Sequence, residues 1–95
     1  MKNPNRDTVL KLEALPNIEK IIASDLRLIG IQKPKDLIGQ NPFDLHDKLC
    51  IKKEKEIDPC VIDTFMAVIN FMEGEEPLPW WEFTQKRKQI LKKDN

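Results

Sequence analysis

Residues 12–26 read LEALPNIEKIIASDL, and this stretch decides the fold. Leu12 and Leu15 precede Pro16, which halts a helix because proline disfavours helical backbone in the residue before it. Beyond the proline, Ile18, Ile21, Ile22, Leu26 and Ile29 fall at i, i+3, i+4, i+8 and i+11. That spacing is one stripe along a helix, and Gly30 follows where a left-handed C-terminal residue is wanted. The reading predicts a helix packed inward along the whole stripe. Upstream, Val9, Leu12 and Leu15 predict a partner helix from Asn5 to Ala14, separated from the next by two or three residues.

Working outward, Pro34 opens a short turn ending at Gly39. Asn41-Pro42 then supplies an N-cap with proline at the first helical position, starting a helix that runs to about Lys52. Asp58-Pro59 repeats the signal. The helix after it carries Val61, Ile62, Phe65, Met66, Val68, Ile69 and Met72, is apolar around most of its circumference, and should be the central, most buried one. Gly74 ends it, EEPLP is an extended connector, and Thr84 is placed to cap a last basic helix from Gln85 to about Lys93. No stretch alternates as a strand does, and no repeat or long linker divides the chain. The expected fold class is all-α, a compact single-domain bundle of about five helices over residues 1–95, with a hairpin in about 5–30 and a second helical half at 41–93.

At 95 residues, 40% hydrophobic and 34% charged, the composition is that of one small globular domain. Sixteen basic residues balance sixteen acidic ones, which excludes a histone-like or ribosomal-tail polycation. The balance hides segregation. Residues 1–55 carry eleven basic and eight acidic side chains (+3), residues 56–82 seven acidic and none basic (−7), and residues 83–95 five basic and one acidic (+4). Charges more than about 10 Å apart are largely screened at 0.1 M salt, so such blocks act as local surfaces. No apolar run approaches the roughly 18 residues of a membrane span, and MKNPNRDT lacks the apolar core of a signal peptide, so a cytoplasmic location is expected.

The order Leu12, Leu15, Pro16, Ile18, Ala23, Leu26 resembles the helix-hairpin-helix motif of DNA repair and recombination proteins, a SAM-like arrangement. The motif runs apolar, two variable, apolar, Pro-Gly-apolar-Gly, three variable, Ala, two variable, apolar. The resemblance implies a tight turn whose backbone N–H groups, at the start of the second helix, bind a phosphate without reading bases. Two positions depart from it. Asn17 stands at the first glycine, a mild change because Asn tolerates the left-handed region. Glu19 stands at the second, where a carboxylate repels phosphate by about 1 kcal/mol at roughly 4 Å even in water-like dielectric. The same carboxylate stabilises its own helix N-terminus by roughly 0.3–1 kcal/mol, so the change favours fold over phosphate binding. Lys11, Lys20 and Arg27 are the residues that restore positive charge.

Taken with DLIGQNPFDLHDKLC, DPCVIDTFMAVINFM and PWWEFT, the segment makes residues 10–90 resemble bacterial helix-hairpin-helix proteins of the pathogenicity-locus or mitomycin-resistance type. The hairpin, the Asp58-Pro59-Cys60-Val61 start and Trp80-Trp81 occur together in that family's order. The resemblance implies a small helical, DNA-associated protein without enzymatic activity, linked to DNA repair or drug resistance.

Few other residues could carry chemistry. A disulfide between Cys50 and Cys60 is not expected in a cytosolic chain. Cys60, just inside a helix N-terminus, is placed where the helix dipole can lower a thiol pKa, although Asp58 and Asp63 oppose this. His46 and Cys50 at i, i+4 could share a metal with Cys60, but a second histidine or cysteine pair is missing and no metal or cofactor is expected. Adjacent Trp80 and Trp81 on extended backbone should point opposite ways, one into the core and the other free for a base or a partner. Lys86, Arg87 and Lys88 on the last helix can grip phosphates in a salt-dependent way, or lie against the acidic 73–76 stretch. No phosphate loop, serine elbow or two-histidine metal helix is present.

The leading expectation is a non-catalytic module making weak, salt-dependent, non-sequence-specific contact with DNA backbone. Its contacts are Lys11, Asn17, Lys20 and Arg27, with Lys86, Arg87 and Lys88 as an auxiliary clamp. The rival is a protein-interaction or regulatory module in which the hairpin is only scaffold and Trp80, Trp81 and the acidic face meet a partner. A third reading is a thiol-dependent activity at Cys60.

Overall fold

Asn41 starts a helix as its residue type predicts, with Oδ1 accepting from the backbone N–H of Phe43 at 2.8 Å and of Asp44 at 3.3 Å. The computed structural model describes residues 1–93 of the chain, so the last two residues of the expected domain lie outside the described residues. It holds α1 (Lys20–Leu28), α2 (Pro42–Lys53), α3 (Cys60–Met72) and α4 (Thr84–Lys93), joined by 3-10 turns at Leu12–Ala14, Pro34–Leu37 and Trp80–Phe83. No strand occurs among the described residues. The Cα radius of gyration, 12.6 Å, matches the roughly 12 Å of a compact chain this long.

Among the described residues the α-helices number four where about five were expected, because Asn5–Ala14 is not one. Asn5 Oδ1 accepts from Asp7 N at 2.9 Å, and the carbonyl of Asn5 accepts from Thr8 and Val9, closing a local turn. Asn competes with helical bonding in this way, and a segment of ten residues is marginal as a helix. Instead the segment serves as an arm. Arg6 donates from Nε to Phe71 O (2.9 Å) and from Nη2 to Glu75 O (2.7 Å), with its guanidinium 4.8 Å from the Phe71 ring centroid. It thereby gives the Phe71 carbonyl, which already accepts from Gly74 N at 3.1 Å, a second donor, and fastens the arm to the end of α3.

The apolar stripe of α1 also differs from expectation. The helix begins at Lys20 with Glu19 as N-cap, so Ile18 precedes it and Ile21 is 74% exposed. Ala23 and Leu26 are buried, and Ile22 and Ile29 are partly so. Ile18 and Ala23, fully buried in the same core cluster, occupy the N′ and N4 positions of a hydrophobic staple. At the other end Ile31 N bonds Leu26 O and Gly30 N bonds Arg27 O around a left-handed Gly30 (φ 97°), a Schellman stop. Leu26 and Ile31 are both buried beside it.

α3 is the central helix, with ten of its thirteen residues buried. Asp58 Oδ1 accepts from Cys60 N at 2.8 Å, so the Asp-Pro pair caps it as the sequence suggests. One core cluster joins Leu12, Leu15, Ile18, Leu26, Leu37, Leu45 and Leu49 to Phe65, Val68 and Phe71 of α3. A smaller one places Phe83 against Ile62, Met66 and Ala67. Thr84 does not cap α4; its hydroxyl donates to Asp63 Oδ2 at 2.7 Å. Asp63, fully buried in α3, also accepts from Arg87 Nε at 2.6 Å, and this pair fixes α4 onto the core.

Candidate nucleic-acid interface

The turn between Leu15 and α1 is built around Asn17, whose φ of 69° puts it in the left-handed region that glycine ordinarily occupies. Its side-chain amide has a second use. Nδ2 donates to Leu78 O at 2.8 Å and Oδ1 accepts from Trp80 N at 3.1 Å, tying the turn to the connector before α4. Extended backbone at Glu19 (φ −103°, ψ 179°) then leads into α1. Glu19 makes no capping bond, and the N–H groups of Lys20, Ile21 and Ile22 find no acceptor among the described residues. Those groups form the positive end of the helix, at residues of which Lys20 and Ile21 are exposed and Ile22 half-buried.

Beside this opening lies Lys2, which sequence reading passed over. Its Nζ donates to the carbonyls of Glu13 (2.8 Å) and Ile18 (2.7 Å) and stands 3.6 Å from the exposed Glu19 carboxylate. The turn is therefore closed on its carbonyl side by an ammonium and flanked on its amide side by Glu19.

Four of the expected cations, Lys11, Lys20, Lys86 and Lys88, are exposed. The other two are occupied. Arg27 forms a two-pronged pair with Glu13 at 2.8 and 2.7 Å, and those bonds hold the Glu13 carboxyl down at about 2. Arg87 is buried against Asp63, which removes it from any phosphate clamp. Asn17 and Lys20 come together at the turn. Lys86 instead shares a shallow cavity of about 190 Å³ with Glu73, Asn70 and Phe83.

Trp80 is half-buried and Trp81 is 60% exposed, their rings edge-to-face with centroids 5.7 Å apart. The backbone there is a 3-10 turn, not the extended chain expected, which is why the indoles stay in contact instead of pointing apart.

The family model described as pathogenicity locus (Cdd1) matches residues 5–89. The chain belongs to the pathogenicity locus family. Mitomycin resistance protein McrB of Streptomyces lavendulae is 31% identical over 80 residues, covering 84% of this chain and 76% of that relative. No solved structure matches.

Within this pathogenicity locus domain neither thiol is joined in a disulfide. Cys50 and Cys60 are free. At the start of α3 the Cys60 thiol is shifted the opposite way from a helix-dipole thiolate: its hydrogen bond to Asp58, together with burial and the charges of Asp58 and Asp63, pushes its pKa up. His46 Nε2 is 2.8 Å from Ile57 O, so as a donor it leaves Nδ1, 3.9 Å from Cys50 Sγ, as the acceptor nitrogen. No group of three metal-ligating side chains assembles among the described residues. No described helix is long and apolar enough to cross a membrane.

Two features of this family member escaped the sequence reading. Lys2 gives no signal, being one lysine in a polar stretch. Asp63 does give one, since it stands alone on a helix otherwise apolar around its circumference, and such a carboxylate requires a cation from elsewhere in the fold.

Proposed function

We propose that this protein is a non-catalytic, cytoplasmic module that contacts the DNA backbone weakly and without sequence preference, through the turn Asn17–Lys20. What supports the reading is the uncapped first turn of α1, whose free N–H groups follow a left-handed residue at the motif's glycine position, with Lys20 beside them. Phosphate contacts of this kind position a protein on a duplex and carry no base information. Lys11 adds charge, while Lys86 and Lys88 remain the auxiliary cations on α4. The name of the Streptomyces relative makes drug resistance the natural setting.

Titration with duplex and branched DNA at about 50 mM salt tests this reading. Binding in the micromolar range should fall with salt, three phosphate contacts giving a log–log slope near about −2.7. Glu19→Gly should tighten it roughly fivefold, the equivalent of about 1 kcal/mol of removed repulsion. Absence of binding by both forms would overturn it. The rival, a protein-interaction module with a structural hairpin, draws on the internal engagement of Asn17, Arg27 and Arg87. It takes the lead if Glu19→Gly changes nothing.

A further inference from the structure

The C-terminal ends of α1 and α2 flank a groove of about 370 Å³ lined by Leu28, Ile29, Gly30, Lys48, Ile51 and Lys52. Its apolar walls are bare, Ile51 being 75% and Leu28 46% exposed. Lys48 and Lys52 stand one turn apart on α2, and neither enters an ion pair among the described residues. Lys53 beside them differs, because it is committed to Asp25 at 2.8 Å. The groove is thus an apolar slot with two free positive charges at its rim.

The connector before α4 has the opposite character. Between residues 73 and 82 it carries Glu73, Glu75, Glu76 and Glu82 and no cation, with Leu78 41% and Trp81 60% exposed. The two surfaces match in chemistry but cannot meet within one chain. Asn17 pins the connector at Leu78 and Trp80 beside the start of α1, whereas the groove lies at the far end of that nine-residue helix, about 13 Å along its axis. A formal net charge of zero leaves no overall repulsion between copies, and so permits their opposite patches to attract.

We propose that the groove receives the acidic, tryptophan-bearing connector of a second copy of this chain. Leu78 and Trp81 of one copy pack on Leu28 and Ile51 of the other, and Glu75 and Glu76 face Lys48 and Lys52. The contact is small, apolar at its centre and ionic at its rim, so the association is reversible and salt-sensitive. It requires neither DNA nor the hairpin amides.

Sedimentation of the full chain without DNA, from about 5 to 500 µM in roughly 50 mM salt, tests it. The weight-average mass should climb above 11.1 kDa with concentration and return to it in about 500 mM salt. Lys48→Glu/Lys52→Glu and Glu75→Lys/Glu76→Lys should each stay monomeric, while their equimolar mixture associates, since each supplies the surface the other lacks. Trp81→Ala should weaken association at least about tenfold, the usual scale for a buried aromatic anchor. Circular dichroism of each variant checks that it is folded. A wild-type chain monomeric throughout, or folded charge variants that fail to associate when mixed, overturns the proposal. It also falls if the lysine variant loses DNA retention while wild-type mass never changes, which would assign the groove to nucleic acid. Glu19→Gly should leave the mass unaltered, so the fate of the hairpin reading is separately visible.

Discussion

Arg87 Nε lies 2.6 Å from Asp63 Oδ1, with Asp63 fully buried and Arg87 nearly so. One residue of a basic run thereby becomes an internal fastener, while Lys86 and Lys88 on either side remain exposed.

Removing one partner of this pair should be costly. Arg87→Ala or Asp63→Ala leaves an uncompensated buried charge and should lower stability by about 3–5 kcal/mol in urea unfolding. The apolar double variant Asp63→Leu/Arg87→Met should recover most of that loss. Lys88→Ala, on the exposed side of the same helix, should stay within about 0.5 kcal/mol of the parent.

At Asn17 two roles separate by substitution. Glycine keeps the left-handed backbone and loses both amide bonds, so Asn17→Gly should cost about 1–2 kcal/mol. Alanine also bears the left-handed strain and should cost roughly 1 kcal/mol more. Thermal or urea denaturation of the two variants measures the difference.

Glu13 links stability and availability of charge. Its bonds to Arg27 lower its pKa from an ordinary 4.5 to about 2, so the pair's contribution is complete above pH 4.5 and is lost as pH falls towards 2. Carbon-detected titration of the Glu13 carboxyl should show a midpoint near 2, moving up towards 4.5 in Arg27→Gln. Glu13→Gln releases the guanidinium and should strengthen DNA retention at about 50 mM salt, with a steeper salt dependence.

Cys60 should alkylate more slowly than an ordinary thiol at pH 8, because Asp58 holds it protonated. Asp58→Asn keeps an oxygen for the Cys60 N–H and removes the charge, so alkylation in a Cys50→Ser background should accelerate with the helix intact. Fast reaction of the parent would restore the thiol-dependent reading.

Local chemistry made much of the fold legible. Asn41-Pro42, Asp58-Pro59 and Gly30 act within a few residues of themselves, and each stops or starts a helix where its type requires. The near-complete apolarity of Cys60–Met72 likewise leaves a helix one place to go, the centre. What could not be read are pairings across the chain. Ile21 falls on the stripe by spacing, yet a helix that starts two residues later turns it outward. Lysine and arginine look alike in a basic run, and only Asp63, twenty-four residues upstream, distinguishes Arg87. The turn before α1 was visible from Pro16, and the burial of Leu12 and Ala23 from their spacing. That Asn17 grips Leu78 and Trp80, and that Lys2 seals the other side, depend on segments brought in from elsewhere.

The arm that carries Arg6 sets an order on folding. Its guanidinium waits for acceptors 65 and 69 residues later, so during synthesis Arg6, unlike Lys2 with its nearby carbonyls, has nothing to hold until α3 and the residues past it have emerged. A helical protein with mostly local contacts folds as fast as its helices meet, but one fastened across most of its length pays loop closure first. Fragments ending before Glu75 should therefore leave Arg6 unfastened even where Lys2 reaches the turn, and the domain should gain its full protection from proteolysis in one late step.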